Sequence, residues 1–236
     1  KAGIDLVRAL PAIGSRQIRA EQQGHGDPSL RGQPAPSQQQ ADQRALASGM
    51  NTDRFFDLVR EVRKSSDIPL VVLTYTNLIL QRDINTFYQD AADAGIDAVV
   101  VADLPYEEAG PYITAAETAG VAPVMMVSTT TSPERLSKIL TVKSGFIYLV
   151  AALGVTGMRQ KTDPVAQKLL ADLKNRTDIP IAPGFGISER EQVREWTDAG
   201  ADAVIVGSAL VREIEDSLVK PDTLIPRITA FVQSLK

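Results

Sequence analysis

From Asn51 to the end of the chain, short apolar runs recur that show no alternation of polar and apolar residues, each separated by a stretch with helical spacing. IPLVVLTY (68–75), AVVVAD (98–103), APVMMVS (122–128), GFIYLVA (145–151), IPIAP (179–183) and AVIVGS (203–208) are the runs. A strand that is apolar on both faces is buried on both faces, which is the condition of a parallel sheet covered by helices. Phe55, Leu58, Val59 and Val62 carry the 3.6-residue period between such runs. An echo marks the joints: AGID at 2–5 and 94–97 and AGAD at 199–202, with a looser AGVA at 119–122, each stand just before a strand. Glycine there ends a helix in the left-handed conformation and the following residues open the strand. A strand at 4–7 brings the count to seven. The expected fold is α/β, a (β/α)8 barrel whose first strand and helix are missing from this chain, with a doubly wound sheet as the competing architecture.

The length of 236 residues suits a single domain over 1–236. Residues 8–40 stand apart. They contain no aromatic residue, are rich in Gln, Gly and Pro, and follow neither period, which by composition reads as a disordered, low-complexity insertion. A net charge of −4 speaks against a nucleic-acid or anionic-membrane surface. With no cysteine and one histidine, His25, thiolate metal sites and a Ser–His dyad are not expected, and His25 reads as a solvated loop residue. No apolar run approaches the roughly 18 residues of a membrane span, and no signal peptide is legible, so a cytoplasmic protein is expected. The chain opens on Lys1 rather than Met, as a piece of a longer protein would.

Two successive strands end in glycine turns: Gly184 and Gly186 around Phe185, then Gly207 followed by Ser208. Glycine lets backbone approach a ligand, and open N–H groups at a helix start attract anions. Paired turns at the last two strands of a parallel barrel make a phosphate cradle. A lone GxG would read as a tight turn only, and the third glycine of a dinucleotide fingerprint is absent. Ser208 is expected both to cap the following helix and to offer its hydroxyl to phosphate.

YTN (75–77), VADLPYEE (101–108), YLVAALGVTG (148–157), PGFGIS (183–188) and GSA (207–209), in that order, resemble the α subunit of tryptophan synthase. The resemblance runs over 41–236 and the short piece at 2–5. It implies retro-aldol cleavage of indole-3-glycerol phosphate to indole and glyceraldehyde 3-phosphate, without metal or cofactor. It also implies a β-subunit partner, which holds pyridoxal phosphate and joins indole to serine. Carried onto this chain, the resemblance puts Tyr148 at the substrate and Thr156 and Gly157 in a lid. Leu73, Val100, Ala102, Met126, Phe185 and Ile205 fall around the indole, though by themselves these apolar residues read equally as barrel core. Asn77, Asp103 and Pro105 fall on the β-subunit contact. Glu107 and Glu108 read as acids complementing a helix start.

The reaction needs one group to protonate the indole ring and another to take a proton from the glycerol hydroxyl, a task for two carboxylates in different environments. The family carries them in a motif like ELGIPFSDPxADGP, which is absent here. Arg8 stands where the Glu belongs, and the Asp has no counterpart. Glu21 and Asp27 do not replace them, since neither ends a strand. Matching sequence on both sides of a foreign block points to an out-of-frame stretch, and divergence to a non-catalytic relative is the rival explanation. Three functions follow: an impaired indole-glycerol-phosphate lyase, a non-catalytic subunit that activates a β partner, or another phosphate-binding barrel such as a prenyltransferase or isomerase.

Overall fold

The computed structural model describes residues 38–151, 163–184 and 186–236. Helices α1 (Gln38–Ala47) and α2 (Thr52–Arg63) lead into β1 (Val71–Thr74), followed by α3 (Thr76–Leu80) and α4 (Ile84–Ala94). Then come β2 (Ala98–Val101), a 3-10 turn (Tyr106–Glu108), α5 (Gly110–Ala119), β3 (Ala122–Ser128), α6 (Pro133–Ile139) and β4 (Ile147–Val150). The last part runs α7 (Pro164–Arg176), β5 (Ile181–Gly184), α8 (Arg190–Asp198), α9 (Ser208–Asp216), a second 3-10 turn (Pro221–Thr223) and α10 (Leu224–Leu235).

All pairings are parallel and the strands lie in chain order, β1-β2-β3-β4-β5, with Ile205 bridging Gly184 at the next place round. A doubly wound sheet reverses its strand order at a switch point. This sheet never does, and the fold is the (β/α)8 barrel, of which the described residues form consecutive units. Register sorts the side chains. Val100 pairs with Leu73 and Val124, Met126 with Tyr148, and these face the barrel interior together with Ala98 and Ile205. The alternate residues, such as Val99, Val127, Leu149 and Ile181, pack under the helices in two apolar clusters. Val71 and Leu73 on β1 are 40% and 52% exposed although they lie in register with interior residues.

The repeated joints share one construction. Gly95, Gly120 and Gly200 take φ of 93°, 75° and 99°, the left-handed values glycine adopts without strain. In the two AGxD copies among the described residues, the aspartate then reaches back to the preceding strand. Asp97 accepts a hydrogen bond from the Leu70 N–H at 2.7 Å and pairs with Arg63. Asp202 accepts from the Ile181 N–H at 2.8 Å and pairs with Lys174 at 2.9 Å.

Three sequence expectations are corrected. The run 203–208 forms a single bridge at Ile205, not a strand. The run 68–75 shortens to Val71–Thr74, because Pro69 has no N–H to donate and the Ile68 carbonyl is taken by Arg63 at 2.5 Å. The aperiodic segment ends sooner than expected, since α1 is helical from Gln38. The expected strand at 4–7 lies outside the described residues.

Candidate active site at the carboxyl ends of the strands

Tyr148 sits on β4, 9% exposed, with burial holding its phenol pKa above the ordinary value. Its hydroxyl occupies the space that a side chain at Gly184 would need. A Cβ at Gly184 would lie 2.5 Å from the Tyr148 oxygen and 3.0 Å from Cβ of Ile205. Glycine at 184 is therefore a packing requirement of the interior wall. Val100, Met126 and Ile205 gather with Tyr148 in the same cluster. Leu73 lies one strand away in register, and Ala102 follows β2 half-buried at the rim.

Gly186 and Gly207 are different. Gly186 has φ 76° and needs glycine for its backbone, while Gly207 has φ −113° and does not. A Cβ on either meets no atom of the described residues within 4 Å. Because Gly184 and Ile205 are bridged, the two turns leave the sheet side by side, and no described residue fills the space beside Gly186 or Gly207. Ser208 is the first residue of α9 and Gly207 is its N-cap, with no side-chain cap bond. The expected capping role of Ser208 is thus corrected: it lies one residue too far into the helix. The N–H groups of the first turn of α9 have no side-chain oxygen from the cap residue.

The loop between Gly186 and α8 is held by a residue that sequence reasoning passed over. Gln192 is 6% exposed, and its Oε1 accepts from the N–H groups of Ser188 at 2.8 Å and Glu189 at 3.1 Å. Its Nε2 points back to the Gly186 carbonyl at 3.5 Å. The E-x-x-Q spacing of a capping box was the available signal.

On the same rim, Asp103 bonds both the backbone N–H and the hydroxyl of Thr76 at 2.8 Å, tying the loop after β2 to the start of α3. Asn77 is the next residue of that helix, and Pro105 precedes the 3-10 turn. Thr76 was not anticipated either. Glu107 receives Arg135 at 2.9 Å and its own backbone N–H, and these hold its carboxyl below the usual range. Phe185, Thr156, Gly157 and Arg8 lie outside the described residues. Among the described residues no cluster of His, Asp and Glu is suited to a metal ion.

The family model described as tryptophan synthase alpha chain matches residues 23–236. The chain belongs to this family. The match begins at residue 23, inside the stretch 8–40. The tryptophan synthase alpha chain of Methanoregula boonei is 45% identical over 201 residues, covering 85% of this chain and 76% of that protein. That of Methanothermobacter thermautotrophicus is 42% identical over 200 residues, covering 85% and 74%. Among solved structures, a chain of the tryptophan synthase α2β2 complex from Pyrococcus furiosus superposes with a TM-score of 0.76. It is 32% identical, over 89% of this chain and 84% of that one. Family membership sets aside the reading as another phosphate-binding barrel, and no described helix is long and apolar enough to cross a membrane.

Proposed function

We propose that this chain serves as the α subunit of a tryptophan synthase, a cytoplasmic carbon–carbon lyase in tryptophan biosynthesis. It binds indole-3-glycerol phosphate at the carboxyl ends of its strands and pairs with a β subunit in an α2β2 complex. The observation that carries the reading is the space beside Gly186 and Gly207, filled by none of the described residues, at the start of α9, which has no side-chain cap. Gly207 needs glycine neither for its φ nor for any neighbour among the described residues, which leaves room for a ligand as the reason for it. Phosphate placed there takes open N–H groups and the favourable end of the helix dipole, with Ser208 adding a hydroxyl. Tyr148, Val100, Met126 and Ile205 supply an apolar wall for the indole ring, joined by Leu73, Ala102 and Phe185, and Thr156 and Gly157 supply the lid. Asn77, Asp103 and Pro105 meet the β subunit, positioned by the bond from Thr76 to Asp103.

Cleavage is impaired in the chain as written, because the two proton-transferring carboxylates have no counterpart and Arg8 stands at one of their positions. Docking on the β subunit needs neither carboxylate, so a β-activating subunit without its own turnover is the second reading. One purified sample tests both: indole release from indole-3-glycerol phosphate, and stimulation of the serine-plus-indole reaction of a β subunit. Stimulation with little indole release is the expected result. Full indole release overturns the impairment, and absence of both sinks the α-subunit reading. Peptide mapping across 8–40 of natively expressed protein separates divergence from a frame error, since an acidic LGIPFSDP-like peptide appears only in the latter.

A further inference from the structure

Gln192 does more than a capping box asks. The box requires only that its side chain accept from the N–H of the cap residue, Glu189. Here Oε1 also takes the Ser188 N–H, at 2.8 Å against 3.1 Å to Glu189, and Nε2 faces the Gly186 carbonyl at 3.5 Å. The side chain is buried, although glutamine usually lies at the surface. One side-chain amide thereby spans the Gly186 carbonyl and the Ser188 N–H, as a neighbouring strand would. The peptide units on either side of Ile187 are planar and trans. With the Gly186 carbonyl and the Ser188 N–H turned towards Gln192, the N–H and carbonyl of Ile187 are turned the opposite way. The Ile187 N–H has no acceptor among the described residues, while its side chain is anchored in the apolar cluster under the helices.

We propose that Gln192 is a positioning residue for phosphate, an inference that rests on the function proposed above. Gln192 does not touch the ligand. It sets the backbone after Gly186 so that the Ile187 N–H is held outward, as a donor, before the anion arrives. Gly186 makes such a grip necessary. At φ 76° it is in a region that only glycine enters at little cost, and glycine enters the opposite region as readily, so the turn left to itself has alternatives. A donor fixed in advance costs no ordering at the moment of binding, and affinity rises accordingly.

The test titrates glycerol phosphate calorimetrically into the full chain and its variants, well below their melting temperatures. Gln192→Met, equal in length but without the amide, is expected to weaken binding about tenfold. Gln192→Asn keeps the amide but falls one methylene short; it is expected to act likewise and serves if the methionine variant does not fold. Glu189→Ala removes the other half of the capping box, so it should lower the melting temperature and leave the affinity within about twofold of the parent. In the 15N-labelled parent the Ile187 amide signal is expected to move as ligand is added. Unchanged affinity in a folded Gln192 variant overturns the positioning role and leaves the phosphate reading standing. An equal loss in Glu189→Ala does the same, as does an Ile187 signal that stays still while ligand binds. A parent that does not bind glycerol phosphate overturns both.

Discussion

Three glycines at the carboxyl ends of the last strands are held to glycine for different reasons. Gly184 is needed because the Tyr148 hydroxyl fills the place of its side chain, Gly186 because its φ is 76°, and Gly207 for neither reason. Gly184→Ala is expected to cost about 1–3 kcal/mol through forced overpacking in the wall. Gly186→Ala should cost about 1 kcal/mol through backbone strain. Gly207→Ala should stay within about 0.5 kcal/mol of the parent, while glycerol phosphate binding by calorimetry drops. Denaturant titration of the three variants separates these cases, and a Gly207→Ala protein that keeps full phosphate affinity contradicts the cradle. The sequence shows the glycines but not their reasons, because neither the reach of Tyr148 across the wall nor the emptiness beside 207 is written in neighbouring residues.

At the scale of elements, the aspartate joints and the capping loop set where the strands begin and the turns end. Asp202→Ala is expected to destabilise by about 1–2 kcal/mol, since it strands the N–H of fully buried Ile181. Asp97→Ala should cost less, because Leu70 is only half-buried and the side-chain pair with Arg63 is partly in water. Thermal melts of the two variants rank them, and equal effects would show that the backbone bond is not what matters. Much at this scale was legible: helix period, buried parallel strands and the echoing joint all follow from local pattern. What was not legible depended on a partner elsewhere. The run 203–208 has the composition of a strand, yet only Ile205 pairs among the described residues. Gln192 has an ordinary helix-start position, and its hold on Ser188 and Glu189 shows only when the loop is folded back.

For the whole molecule, the barrel reading came from the repeated unit itself, while the doubly wound alternative could be dismissed only by the order of the strands in space. Three phenols, Tyr88, Tyr112 and Tyr148, have folded-state pKa values raised above 10.0 by burial. Above about pH 10 the unfolded chain releases these protons while the folded chain still holds them, so stability present below that pH declines as pH rises. Urea midpoints at pH 9 and pH 11 are expected to fall, and Tyr88→Phe should blunt the fall; a flat profile would mean the phenols ionise in place. Native-state hydrogen exchange should find β3 and β4, each paired on both sides, slower than β1, paired only with β2 among the described residues. The joints carry a broader meaning. Asp97 and Asp202 each fasten a unit to the one immediately before it and, among the described residues, to nothing further round the ring. Architecture assembled from such nearest-neighbour clasps behaves as a stack of repeats does, with cohesion accruing one interface at a time. A terminal unit can then be lost or replaced at the expense of its own interface, leaving the interior units in register.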